Sequence, residues 1–247
     1  ADFELKGVEI DGTRVGRGNG SGVVLNGVSN AVVEGNLFVD VGTAVDVRVG
    51  AGLTVPASGN RIVRNGIERA GLGVTVCGFG ASGNLVADNA FEEVQVGVSV
   101  EEDAEGNVLA NNDVAEAAVA GFQVLGASRN VLFGGTVFDS SRGVVVDGLR
   151  STFRSCRSNP AGTVTERNAV FGLTASRNLV GVEVGSASVT DPVARTTVVA
   201  SDLRDNEIGA SLGANSTRSR VLFNDLRGNA APVQDAGTGN RVFANRL

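Results

Sequence analysis

A chain with no histidine, tyrosine, tryptophan or methionine, and with Lys6 as its one lysine, has few side chains left that can move protons or attack a substrate. Imidazole acid–base chemistry, histidine metal sites and a tyrosine acid are removed together, and lysine Schiff bases all but removed, with Lys6 alone at the terminus. Catalysis would have to run on Asp, Glu, Arg, Ser, Thr, Cys or backbone groups. Among these, Glu101 and Asp147 hold matching places at the ends of two similar phrases, GVSVE at 97–101 and GVVVD at 143–147. If the phrases are strands of stacked repeats two units apart, the two backbones lie about 9 to 10 Å from each other. That spacing is near the upper end for an acid and a base that admit a water between them, as on a glycosidic or uronic linkage. The plain alternative is a pair of solvated carboxylates that keep a stacked sheet soluble.

Other polar residues share this placement. Strict alternation along the same phrases turns Val24, Asp46, Thr75, Ser99, Gln123, Val145, Glu183, Ser211 and Gln234 outward, followed by a second outward column of Asn26, Arg48, Cys77, Glu101, Leu125 and Asp147. Asp46, Arg48, Thr75, Ser99, Gln123 and Glu183 are therefore the expected substrate-binding residues. Arg48 near Asp46 would bind a carboxylated sugar or form a surface ion pair of small energy. Asp103 and Glu105 in EEDAEG could join Glu101 around Ca²⁺, but the loop lacks a recognisable liganding pattern and no metal site is assigned.

What positions these residues is a repeat. GNRIVRN at 59–65, GNLVADN at 83–89, GNVLANN at 106–112, RNVLFGG at 129–135 and GNRVFAN at 239–245 are copies of one phrase. Anchors fall at Asn30, Asn60, Asn84, Asn107, Asn130, Asn168 and Asn240, with weaker copies near Ser151, Thr196 and Ser219, mostly 21 to 24 residues apart. Each unit carries three short alternating segments divided by Asn, Gly, Asp and Ser, and none is long enough for a helix. Three strands per unit predict a triangular coil, and about ten stacked coils form a right-handed, single-stranded parallel β-helix over residues 1–247. Two residues after the anchors stand Val32, Ile62, Val86, Leu109, Leu132, Phe153, Val170, Val198, Val221 and Val242, expected to be an inward column. Asparagine suits the corner because it tolerates left-handed angles and can bond the next coil.

The pattern resembles the right-handed parallel β-helix superfamily, with its pectate-lyase-like and NosD-like repeats, and FELKGVEIDG at 3–12 is similar to that superfamily's first coil. The resemblance implies an oligo- or polysaccharide partner and an extracellular or periplasmic location. Many enzymes of the superfamily use His, Tyr or Lys. Their absence here leaves carboxylate-run hydrolysis or fructotransfer, or Ca²⁺-assisted elimination with Asp and Arg.

Further expectations follow. The net charge of −6, with charges scattered singly along the chain, argues against nucleic-acid and membrane surfaces. No apolar run approaches the roughly 18 residues that span a bilayer. Cys77 and Cys156, placed about four coils and 20 Å apart by strand spacing, are expected to be free thiols. Insertions at 48–58 and 185–197 leave the same corner and would wall a groove along the outward columns. Outward Val24, Leu125 and Val145 suggest a flat lateral contact, as in a homotrimer, and the uncapped end coils suggest a piece of something longer. The functional expectation is a polysaccharide-cleaving or rearranging β-helix with Glu101 and Asp147 catalytic, against the alternative of a non-catalytic scaffold, binding or adhesin module.

Overall fold

The computed structural model describes residues 3–12, 20–148, 156, 165–186 and 191–247. Among them are 29 strands and no helix, stacked into sheets of ten, nine, seven and three strands. A complete coil contributes one strand to each of the three large sheets, as Arg61–Val63 to the ten-stranded sheet, Gly66–Glu68 to the seven-stranded and Leu72–Cys77 to the nine-stranded; the last coils have no strand in the seven-stranded sheet. Strands of successive coils pair in parallel, Leu85–Ala87 with Val108–Ala110, Ala90–Glu92 with Asp113–Ala115 and Val96–Glu101 with Ala120–Leu125. The three-stranded sheet is short and lies between the nine- and ten-stranded sheets in chain order, from Thr165–Glu166, Val193–Ala194 and Ser216–Thr217.

The triangle is made at its corners. One coil places left-handed backbone at Gly59 (φ 67°), Arg64 (φ 56°) and Arg69 (φ 51°), once before each of its strands. Just after these residues sit amides that run up the solenoid as ladders. Asn60 donates from its backbone N and Nδ2 to Asn84 Oδ1, Asn84 does the same to Asn107, and Asn107 to Asn130. A second ladder links Asn36, Asn65, Asn89 and Asn112, and a third links Ser140, Asn178, Asn206 and Asn229. Corner amides in a solenoid have no neighbour within their own coil, so these side chains satisfy backbone donors that would otherwise be buried unpaired.

The core is a set of stacked columns. Val33, Ile62, Val86, Leu109, Leu132, Val170, Val198 and Val221 are all buried, each against its copy one coil away. Opposite them stack Phe38, Ile67, Phe91, Val114 and Val137. In the nine-stranded sheet, glycine recurs as the second residue of the strand because of space: a Cβ on Gly97 would lie 2.6 Å from Gly121 O and 2.8 Å from Val114 Cγ2.

Three expectations change. Asn30 is not a ladder member, since its φ of 60° gives it the place that Gly59 has one coil later, and Ala31 takes the ladder position. The inward residue of that coil is therefore Val33, and Val32 faces out in register with Glu4 and Arg61. The ladder asparagines themselves are not left-handed; the residue before them turns the chain. Finally, Val131–Phe133 pairs directly with Ala169–Phe171, which leaves no place in the ten-stranded sheet for the coil expected at Ser151. Ser151 and Phe153 themselves lie outside the described residues.

Candidate functional site

The outward columns of the nine-stranded sheet follow the alternation of their strands. Val24, Asp46, Thr75, Ser99, Gln123, Val145, Glu183, Ser211 and Gln234 are successive partners in one register. Beside them run Asn26, Arg48, Cys77, Glu101, Leu125 and Asp147. Glu101 and Asp147 thus occupy one column two coils apart, separated by Leu125.

Although these side chains point away from the solenoid core, several are covered. Asp46 is 2% exposed, Thr75 and Ser99 are 0%, Glu101 is 4% and Asp147 is 6%. Ser99 Oγ donates to Glu101 Oε1 at 2.5 Å, while Glu101 Oε2 and Thr75 Oγ1 have no hydrogen-bond partner among the described residues. Asp147 Oδ1 accepts from Gly148 N at 2.7 Å and from Asn215 Nδ2 at 3.2 Å. Arg48 pairs with Asp46 at 3.4 Å, so this pair is an ion pair in place. Glu183 accepts from Arg142 Nε at 2.6 Å, a partner one strand away on the half-exposed part of the face. Gln123 is half-buried. Of the expected lateral contact, Val24 is exposed and Leu125 is buried.

The cysteines require a correction. Cys77 and Cys156 form a disulfide with Cα atoms 6.1 Å apart, and Cys156 also makes an antiparallel bridge with Gly50. The expected separation of about four coils assumed that Cys156 belonged to a coil opened by Ser151. Cys156 lies instead at the level of Cys77, back along the stack from Arg142–Asp147, the last strand before it. Cys156 is 7% exposed over the same column that carries Glu101. At the level of Cys77 the outward face is therefore covered by Cys156, within the span expected to be a groove between 48–58 and 185–197; residues 187–190 of its second wall lie outside the described residues.

The loop at 101–106 turns its acids apart. Glu105 pairs with Arg129, and among the described residues no group of three or more His, Cys, Asp or Glu could hold a metal ion. Of the phenylalanines, Phe38, Phe91 and Phe122 are core, whereas Phe133 and Phe171 are exposed and stack with ring centroids 5.4 Å apart on the ten-stranded sheet. Sequence reading missed Asn215, which ties Asp147 to a turn 68 residues later, and the pairing of Cys156 with Cys77. Neither carries a local signal, since each joins residues far apart in the chain that no periodicity brings together.

Comparison with known proteins agrees with this geometry. A family model described as a right-handed β-helix region matches residues 2–158. No curated protein sequence matches the chain. Similar solved structures include XylC in complex with xylose, at TM-score 0.60 and 12% identity, covering 82% of this chain and 36% of that one. The catalytic domain of a GH87 α-1,3-glucanase in complex with nigerose has TM-score 0.59 and 11% identity, covering 88% and 47%. The A-module of mannuronan C-5 epimerase AlgE4 from Azotobacter vinelandii has TM-score 0.61 and 15% identity, covering 91% and 73%. The chain thus spans less than half the length of the first two, and at these identities the likeness is one of fold. Three-cornered coils, asparagine ladders, all-parallel pairing between strands and a family match over more than half its length together establish that the chain belongs to the right-handed β-helix family.

Proposed function

We propose that this β-helix cleaves or rearranges a polysaccharide bound at the outer face of its nine-stranded sheet, with Glu101 and Asp147 moving the proton. The observation that carries it is Glu101: a carboxyl pointing out of the solenoid wall, buried, held through one oxygen by Ser99 and with no hydrogen-bond partner for the other oxygen among the described residues. Such a group is oriented, and a proton on its second oxygen would pass to a leaving oxygen that reaches it. Asp147 lies two strands along, about 9 to 10 Å by backbone spacing, at the upper end of the range that admits a water between acid and base. Its Oδ1 is fixed by two N–H donors, which suits the base that takes a proton from that water as it adds to the anomeric carbon. Asp46, Arg48, Thr75, Ser99, Gln123 and Glu183 would line the same face.

Xylose and nigerose, named with the similar structures, support a carbohydrate ligand in kind only. The disulfide supports an oxidising compartment, extracellular or periplasmic. A second reading, a non-catalytic solenoid that binds or spaces, is favoured by the seating of Cys156 on this face and by the bond from Asn215 to Asp147. Product release from a panel of uronans, fructans and glucans by the wild type and by Glu101→Gln and Asp147→Asn separates the two readings.

A further inference from the structure

Charges that look scattered along the sequence are gathered by the fold, because residues one coil apart become neighbours about 4.8 Å from each other. The corner leading into the ten-stranded sheet places left-handed backbone at Asn30, Gly59, Gly83, Gly106, Arg129, Arg167, Arg195, Arg218 and Gly239. The register is fixed by backbone bonds: Arg129 N donates to Glu166 O, Arg167 N to Ala194 O, Arg195 N to Thr217 O and Arg218 N to Thr238 O. Four consecutive corners are thus arginine, all exposed. Two residues further on, Arg220 and Arg241 point outward from adjacent strands of the same sheet. Among the described residues, the ion pairs of these six arginines are those of Arg129 with Glu105 and of Arg167 and Arg195 with Glu166. Arg218, Arg220 and Arg241 make no ion pair among the described residues.

The corner before the nine-stranded sheet shows the ordinary way to fill such positions. There the left-handed residues are Asp40, Arg69, Glu93, Glu116, Asp139, Arg177 and Asp205, and signs are mixed. Arg69 pairs with Asp40 one coil away, and Arg177 with Asp139, whose carboxyl it holds below its ordinary value by hydrogen bonding. A row of one sign is different. Like charges one strand apart repel, and Gly83 and Gly106 show that the corner itself needs no side chain. Alongside the ridge, four residues after the arginines, runs the outward column Phe133, Phe171, Val199 and Leu222, with the smaller Val131, Ala169 and Thr197 between.

We infer that this ridge is a second binding surface, which holds a linear polyanion lying along the solenoid axis, specifically an acidic polysaccharide with one carboxylate per sugar. The polysaccharide class rests on the functional reading above; the place is new. Pyranose rings recur along a chain at a spacing comparable with one strand, so successive carboxylates meet successive guanidiniums. The rings' apolar faces lie over Val131 and Ala169 toward the phenylalanine column. The ion pairs with Glu105 and Glu166 are solvent-exposed and weak, so a ligand carboxylate can replace them.

The test is binding of a fluorescent oligogalacturonate, a neutral oligoglucan of equal length and an oligothymidylate of equal charge, each at two salt concentrations. The oligogalacturonate is expected to bind more tightly than either control. The Arg167→Gln/Arg195→Gln/Arg218→Gln variant should weaken it by about tenfold or more and flatten its salt dependence, since each contact with a polyanion releases roughly one counterion. Glu166→Gln, which removes the competing carboxylate, should tighten it, and this holds the test open should the triple variant fold poorly. Unchanged affinity and salt slope in the arginine variant, no gain in Glu166→Gln, or equal binding of the oligothymidylate would overturn the inference. So would loss of oligogalacturonate binding in Glu101→Gln/Asp147→Asn, which would place the polymer at the carboxylate pair. Retained binding in that variant, with no catalysis by the wild type on any polymer, would fail only the enzymatic reading.

Discussion

Asn84 shows how much one side chain does in this fold. It is 1% exposed, accepts from Asn60 N and Nδ2, and donates to Ala57 O and Asn107 Oδ1, each within 3.0 Å. Asn84→Ala would leave a buried amide, a carboxamide and a carbonyl unpaired, and is expected to cost about 2 to 4 kcal/mol. Urea midpoints check this against Gln95→Ala, an exposed change expected within about 0.5 kcal/mol. The ladder was legible because asparagine returns on schedule at 60, 84, 107 and 130. Its first rung was not: Asn30 and Ala31 differ by one place, and only the backbone angle shows which of them turns the chain. Glu101 and Asp147 were legible as a column for the same reason, since alternation fixes which side a strand residue faces. Their burial was not, because Cys156 is seated on that face.

At the scale of the element, the strand Val96–Glu101 is held tight by its neighbours on both sides. Gly97 abuts Gly121 O and Val114 Cγ2 closely enough that any side chain must push a strand aside. Gly97→Ala is expected to destabilise by about 1 to 3 kcal/mol, as overpacking does elsewhere. Thermal melts against Gly106→Asn separate space from backbone angle: Gly106 has φ 67° with open space around it, and asparagine tolerates that angle. A loss in Gly106→Asn equal to that in Gly97→Ala would contradict the steric account. The three strands of each coil were legible in their period of two. The skipped place in the ten-stranded sheet was not, because the stretch from Ser151 falls at the spacing of a coil and mimics an anchor.

At the scale of the molecule, nearly all contacts join a coil to the next, so few features tie distant coils together. The Cys77–Cys156 disulfide is one, linking residues 79 apart in sequence. Cys77→Ala/Cys156→Ala is expected to lower stability by about 2 to 5 kcal/mol and to leave the solenoid folded, as the far-ultraviolet circular dichroism of a parallel sheet would show. Distribution of charge is likewise legible only here. A list of single arginines, spaced 38, 28 and 23 residues apart, predicts no basic surface, yet the register of successive coils assembles Arg129, Arg167, Arg195 and Arg218 into one ridge. The claim that joins the scales is that Glu101 and Asp147 act as an acid and base on a polysaccharide. It is tested most directly by measuring product release from uronans, fructans and glucans by the wild type and by Glu101→Gln/Asp147→Asn, with folding of both confirmed. The account predicts release from at least one polymer by the wild type and a loss of about a hundredfold or more in the double variant. Release that survives both substitutions, or none from any polymer, would contradict it.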